Sequence, residues 1–430
     1  MSAAGNPQSG VAVSLTGAES GSATTGATGS YQIGSLAAGA YTVTISNFDS
    51  ITYFWRVTSL EVSLSAGGTV VVDFDGETPT SWRSVAVGAS HSCALTQSDS
   101  EAYCWGRNDH GQLGTGAMDN TDVPMPVSSN LTFQNLQAGV THSCGVTATG
   151  SAHCWGANDF GQLGDGTSQS SNVPVAVAGA LAFKGVTAGE GFTCGVTQDD
   201  HTYCWGRNDR GQLGNGTGED SNVPVRIAQD PTLRRLISSL THTCAPTLTG
   251  DGRYCWGANE SGQLGDGTTQ DRNVPVAVQA LGSTGWIKPG GSHSCADIEG
   301  VLLCWGQNDA GQLGDGTEQA SPVPVAVVSN PNGWVAPGWR HTCSLVEGEL
   351  FCWGDNAWGQ LGNGTTEPSN VPVAASTALR FRWLSSGKGS HTCAISTDTE
   401  MLFCWGGNVF GQLGTGGTEG SAIPVRVVNP

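Results

Sequence analysis

Charge is what this sequence has least of. Of 430 residues only 12% are Asp, Glu, Lys or Arg, and 17 basic side chains face 36 acidic ones. The basic residues are scattered and the net charge is −19, so a phosphate backbone is repelled and no nucleic-acid partner is expected. No run of about 18 apolar residues is present, so no membrane span is expected. Helix-favouring windows rich in Glu, Lys and Ala are missing too, which disfavours a helical protein. There is neither a nucleophile-elbow sequence nor a His-Glu-x-x-His, and no catalytic constellation stands out. The chain is therefore read as not an enzyme, with no cofactor and no metal. Met1-Ser2-Ala3-Ala4-Gly5 shows neither the basic region nor the apolar core of a secretion signal.

What is present is repetition. Cys-Trp-Gly-x-Asn-x-x-Gly-Gln-Leu-Gly occurs seven times, at 104–114, 154–164, 204–214, 255–265, 304–314, 352–362 and 404–414. A period of about 50 residues is one supersecondary unit that cannot bury its own apolar face alone. Seven units of short strands, with 64 glycines in the chain, predict an all-β fold, a closed seven-bladed β-propeller. Repetition also separates scaffold from site. A residue found in every copy is most simply scaffold, and a unique function must sit where copies differ.

The cysteines fall into seven local pairs, 9 to 11 residues apart: Cys93 with Cys104, Cys144 with Cys154, Cys194 with Cys204, Cys244 with Cys255, Cys295 with Cys304, Cys343 with Cys352, and Cys393 with Cys404. An even count in regular pairs reads as a disulfide framework and hence an oxidising, extracellular or cell-surface location. The pairs fall on neighbouring hairpin strands, where opposed Cβ atoms come close enough to bridge. The recurring Val-Pro-Val segments (Pro174, Pro224, Pro275, Pro324, Pro372, Pro424) mark the outer edge of each blade, since proline cannot donate to a ladder. In the long loop, Asn108, Asn158 and their equivalents are expected to form Asx-turns. The Gln is expected to satisfy loop backbone, the Leu to anchor the loop, and the motif Trp to pack between blades.

The N-terminal part reads differently. Val11–Leu15, Ser30–Ile33, Tyr41–Ile45 and Val70–Phe74 read as strands of a small β-sandwich, with Asp75–Pro79 as linker. The expected domains are 1–78, the sandwich, and 79–430, the propeller.

The array closely resembles the regulator-of-chromosome-condensation repeat family. The carrying residues are Gly-x-x-His-(Ser/Thr)-Cys, Trp-Gly-x-Asn-x-x-Gly-Gln-Leu-Gly and the Pro-Val edge. That resemblance implies a seven-bladed propeller, often with a strand from one terminus completing a blade at the other. The family's nuclear members act on chromatin and a small GTPase, a role that this acidic, cystine-rich chain does not support. It also includes a secreted propeller that inhibits β-lactamases. Gly10-Val11-Ala12-Val13, Thr25–Tyr31 and Gly39–Val43 resemble the carboxypeptidase regulatory-like sandwich. That family usually has one more strand before Gly-Val-x-Val, so either that strand is missing or an edge is open to strand donation from a neighbour.

Three patterns carry possible chemistry. His91, His142, His242, His293, His341 and His391 each lie two residues before a Cys, on one strand face, which invites a zinc reading. The third copy has Phe192 instead, and disulfides consume the thiolates, so a structural histidine is expected. Asp165, Asp266 and Asp315 lack the dense oxygen ligands of a calcium loop and read as turn formers. Asn130, Asn215, Asn259 and Asn363 are glycan acceptors only in a host that glycosylates.

The residue before each Gly-Gln-Leu-Gly varies: His110, Phe160, Arg210, Ser261, Ala310, Trp358 and Phe410. These seven tips fall on one rim of the ring. They are either interface anchors, led by the aromatics, or side chains tucked against the neighbouring loop. Trp82, Trp286, Trp334, Trp339 and Trp383 are expected to fill gaps between blades. The reading is a secreted or surface, non-catalytic propeller that binds a protein partner or itself. Alternatives are a filament subunit joined through the open sandwich edge, and a secreted enzyme inhibitor.

Overall fold

The computed structural model describes the chain apart from residues 1, 4, 5, 8–10, 27–29, 35, 47–53, 56–58, 66–74, 78, 79, 280–284 and 330–332. It forms two compact units: Met1–Thr80 with Asn429, and Ser81–Val428 with Pro430.

The first unit holds an antiparallel sheet in the order Gly21–Thr24, Ala12–Gly17, Gly39–Ser46, Ser59–Leu64. Alternation sends Val11, Val13 and Leu15 to the same face as Tyr41, Val43 and Ile45, and these six form its buried core. A smaller sheet pairs Ser2–Ala3 in parallel with Asp75–Gly76. The expected strand at Ser30–Ile33 does not form. Those residues take no regular structure; the Gly26 N–H donates to the Ser30 carbonyl, and Tyr31 and Ile33 pack on the core. The expected strand Val70–Phe74 lies outside the described residues.

The second unit is seven antiparallel sheets, each made of four consecutive strands. The second blade runs Phe133–Ala138, His142–Thr147, Ala152–Gly156 and Ser171–Ala176. The first strands pack side by side around a closed circle, in which Phe381–Ser386 of the last blade returns to Trp82–Val87 of the first. They form the inner wall. The fourth strands lie at the outer edges and carry the prolines, whose missing N–H faces no ladder there. Both terminal blades are complete in themselves, so no strand is exchanged to close the ring. Side-chain latches described below close it instead.

All fourteen cysteines are joined in the seven expected disulfides, Cys93–Cys104 through Cys393–Cys404. Each pair lies directly opposite on the second and third strands, with Cα atoms 4.0 to 4.2 Å apart. That is the close, non-hydrogen-bonded type of cross-strand pair. The motif tryptophans Trp105, Trp155, Trp205, Trp256, Trp305, Trp353 and Trp405 are wholly buried. Each packs where the preceding blade offers a glycine. A Cβ on Gly114, at φ +69°, would stand 2.7 Å from Trp155 Nε1.

Candidate functional site

The seams between blades explain most of the motif. The Gln112 carbonyl of the first blade accepts from Ser143 Oγ and Trp155 Nε1 of the second, both at 2.9 Å. The Ser143 hydroxyl has one proton and gives it to that carbonyl. His91 Nε2, 2.9 Å from Ser143 Oγ, must therefore donate to it. The histidine is thus neutral and protonated on Nε2. The same latch recurs around the ring and seals it, His391 Nε2 and the Gln412 carbonyl both engaging Ser92 Oγ. Burial among apolar neighbours lowers His91, His142, His242, His293 and His391 from 6.5 to about 3, and His341 to about 4. With Nε2 donating and both sulfurs in a disulfide, a blade has no free trio of ligands to offer a metal. These histidines are seam residues.

The loop after Cys-Trp-Gly is organised by its asparagine, over a longer reach than an Asx-turn. Asn158 Oδ1 accepts from Leu163 N at 2.9 Å, five residues on. Its Nδ2 donates to the carbonyls of Thr167 and Gln169. The Gln162 side chain accepts the N–H of the tip residue Phe160 at 3.0 Å. Asp165 accepts from the N–H and hydroxyl of Thr167, which makes it a turn former.

Antiparallel order puts these loops on one face of the ring with the Gly-x-x-His turns. The hairpin turns between second and third strands lie on the other face. The seven tips share the first face, and three of them lean on the next blade. The Arg207 guanidinium stands 5.3 Å over the Phe160 ring, and Arg107 stands 5.1 Å over Phe410. Arg210 pairs with Glu260 and, at 3.2 Å, with Asp271. His110 lies 4.0 Å from Asp109 of its own loop. Trp358 differs. Where blades one and three put Arg107 and Arg207, the last blade has Gly407, and Trp358 stays 52% exposed. Trp339, in the Gly-x-x-His turn of the same blade as Trp358, is 46% exposed on that face.

The other four tryptophans expected to fill gaps between blades divide. Trp82 fills a gap between blades, buried against Trp105 and Tyr103. Trp286, Trp334 and Trp383 do not. They line a central cavity of about 810 Å³ inside the ring of first strands. The reason is period: side chains alternate along an inner strand, and these three sit on its inward positions. All three lie four residues before the Gly-x-x-His glycine or its equivalent, so the sequence groups them, but which way they face is decided by the closed ring.

Comparison with known proteins agrees with the fold. The model for the regulator of chromosome condensation (RCC1) repeat matches residues 99–146, 149–196, 199–245, 251–296, 299–345, 347–395 and 401–430. The carboxypeptidase regulatory-like domain model matches residues 1–76. The ultraviolet-B receptor UVR8 of Arabidopsis thaliana is 35% identical over 69 residues, 16% of this chain and 16% of that protein. The protein RCC2 homolog of Xenopus laevis is 40% identical over 73 residues, 16% of this chain and 14% of that one. This chain thus matches only about a sixth of either curated relative's length. Among solved structures, yeast RCC1 (Prp20) bound to Kap60 superposes with a TM-score of 0.68 at 16% identity, covering 81% of this chain and 85% of that one. Human WBSCR16 superposes with a TM-score of 0.65 at 22% identity, covering 77% and 88%. With its repeats matched from residue 99 to the last, the chain belongs to the regulator of chromosome condensation (RCC1) repeat family.

Proposed function

We propose that this chain is a secreted or cell-surface, non-catalytic propeller that captures a protein partner on the face bearing the seven loop tips. The cystines support that location. Seven disulfides with no free thiol form and persist in an oxidising compartment. The carrying observation for binding is Trp358. The Asn of the repeated loop is used internally, two of the three aromatic tips lie under arginines, and Trp358, the most exposed of the three, has none over it. Large exposed aromatics are the residue type that anchors protein interfaces. Inhibition of an enzyme is one form such capture would take. Yeast RCC1, whose fold this unit shares, was solved with the protein Kap60.

The test is affinity capture from the medium of the native host, with the bound protein identified and its Kd measured. Trp358→Ala should weaken capture at least tenfold with the melting temperature unchanged. Undiminished capture by that variant would refute the rim reading. A second reading, self-assembly, is favoured by the sandwich sheet. Among the described residues Gly21–Thr24 and Ser59–Leu64 each pair on one side only. Polymers in negative-stain images would support it, and a monomer at high concentration would end it.

A further inference from the structure

The central cavity is the reverse of the surface in charge. Among the described residues four basic ones line it, Arg83, Arg235, Lys288 and Lys388, but only one acidic one, Asp297. The lining is also one-sided. At the inward position four residues before each Gly-x-x-His glycine or its equivalent, the first three blades carry Ser84, Asn135 and Gly185. The last four carry Arg235, Trp286, Trp334 and Trp383. In the next inward layer Lys288 lays its ammonium 3.5 Å from the centre of the Trp334 ring, and Trp334 packs on Trp383 at 5.5 Å. Arg235 stands 4.7 Å over Trp286.

These cations lack counter-charges. Among the described residues no carboxylate pairs with Arg83, Arg235, Lys288 or Lys388. Arg83 donates to the carbonyls of Phe133 and Gln134, and Lys388 to that of Ala138, all neutral acceptors. Lys288 has only the Trp334 ring. Protein surrounds Lys288, yet part of its surface stays open to the cavity. In two of the lining residues one polar atom, Asn135 Oδ1 and Ser386 Oγ, is buried without a hydrogen-bond partner. A seven-fold scaffold has no need of this asymmetry.

We propose that the channel binds an acidic saccharide, its ring faces against Trp286, Trp334 and Trp383, its carboxylate or sulfate on Lys288 and Arg235, and its hydroxyls on the Ser84–Asn135 side. A neutral sugar leaves the cations unmatched. An acidic peptide has no flat C–H face for three indoles. The volume suits one to three sugar rings, within the about 300–1,000 Å³ of small-ligand sites. Burial, with Arg235 close by, lowers Lys288 from 10.5 to about 7. The charged groups around it are Arg235 from the preceding blade and Asp297 from its own, with none on the inner strand of the following blade, Trp334–Pro337. An anion favours the protonated ammonium, so binding should take up a proton and weaken as pH rises above 7.

The experiment is calorimetry and tryptophan fluorescence on the full chain with a galacturonate trisaccharide and a sulfated heparin-type disaccharide. Controls are neutral galactotriose, sodium sulfate and hexaglutamate. The expected result is that at least one acidic sugar binds with a change in indole emission. Lys288→Met and Trp334→Ala should each lose at least tenfold in affinity, and Trp358→Ala none. Lys288→Met removes an unpaired cation and should melt no lower than the parent, which separates loss of the site from loss of the fold. The proposal is overturned if neither acidic sugar binds, if Lys288→Met binds as the parent does, or if sulfate or hexaglutamate binds as tightly as the sugar. The outcome is independent of the rim reading, which Trp358→Ala tests alone.

Discussion

Six seams of the ring carry a histidine latch and one does not, and the odd seam shows what the latch is for. Between the third and fourth blades Phe192 replaces histidine, wholly buried like the others. The Gln212 carbonyl still accepts from Trp256 Nε1 at 3.0 Å, and the Thr243 hydroxyl bonds Ser238 Oγ at 2.8 Å instead. The seam closes all the same. What a seam requires is a flat ring of that size over the glycine, the indole donor and the Gln carbonyl. The imidazole proton adds one hydrogen bond of about 1 kcal/mol.

The comparison can be broken most severely at the indole. Trp155→Ala removes both the donor and the largest buried volume of its seam, and should cost about 3–5 kcal/mol in chemical unfolding. A similar loss at Trp256 is expected, because the odd seam leans on its indole too. Next is the staple: Cys144→Ala with Cys154→Ala opens a short loop and should cost about 3 kcal/mol in the chain-entropy model. Replacing His142 with Ala leaves a cavity and removes the N–H given to Thr193 Oγ1, costing about 2–4 kcal/mol, whereas His142→Phe loses the same hydrogen bond but fills the space as the third blade does and should cost under about 1.5 kcal/mol. Equal losses for the two would mean that the odd seam is no guide to the rest.

Acid sharpens the same contrast. The six latch histidines titrate near 3 to 4 when folded but near 6.5 when unfolded. As pH falls the unfolded chain takes up protons first, so stability is full above 6.5 and is lost progressively toward 3. Each histidine contributes up to about 1.4 kcal/mol per pH unit, and His142→Phe should flatten the slope by one proton's share. The smallest effect belongs outside the seams. Trp358→Ala should change stability by less than about 0.5 kcal/mol while weakening capture at least tenfold.

The sequence showed much of this because the repeat repeats its physics. Cysteine spacing at opposed hairpin positions gave the disulfides, and Val-Pro-Val gave the edges. The channel went unseen for the opposite reason. Trp286, Trp334 and Trp383 follow no shared motif, and their meaning depends on which face of an inner strand looks into the ring, which only closure decides. The tips were legible as variable. That Phe160 and Phe410 lie under arginines while Trp358 does not depends on the residue the neighbouring blade supplies, which for Phe410 lies across the ring closure at Arg107.

The measurement closest to the centre of this account is intact mass after denaturation and alkylation without reductant. The disulfide-stapled ring predicts a mass unchanged by alkylation, and the addition of fourteen alkyl groups would contradict both the staples and the oxidising compartment inferred from them.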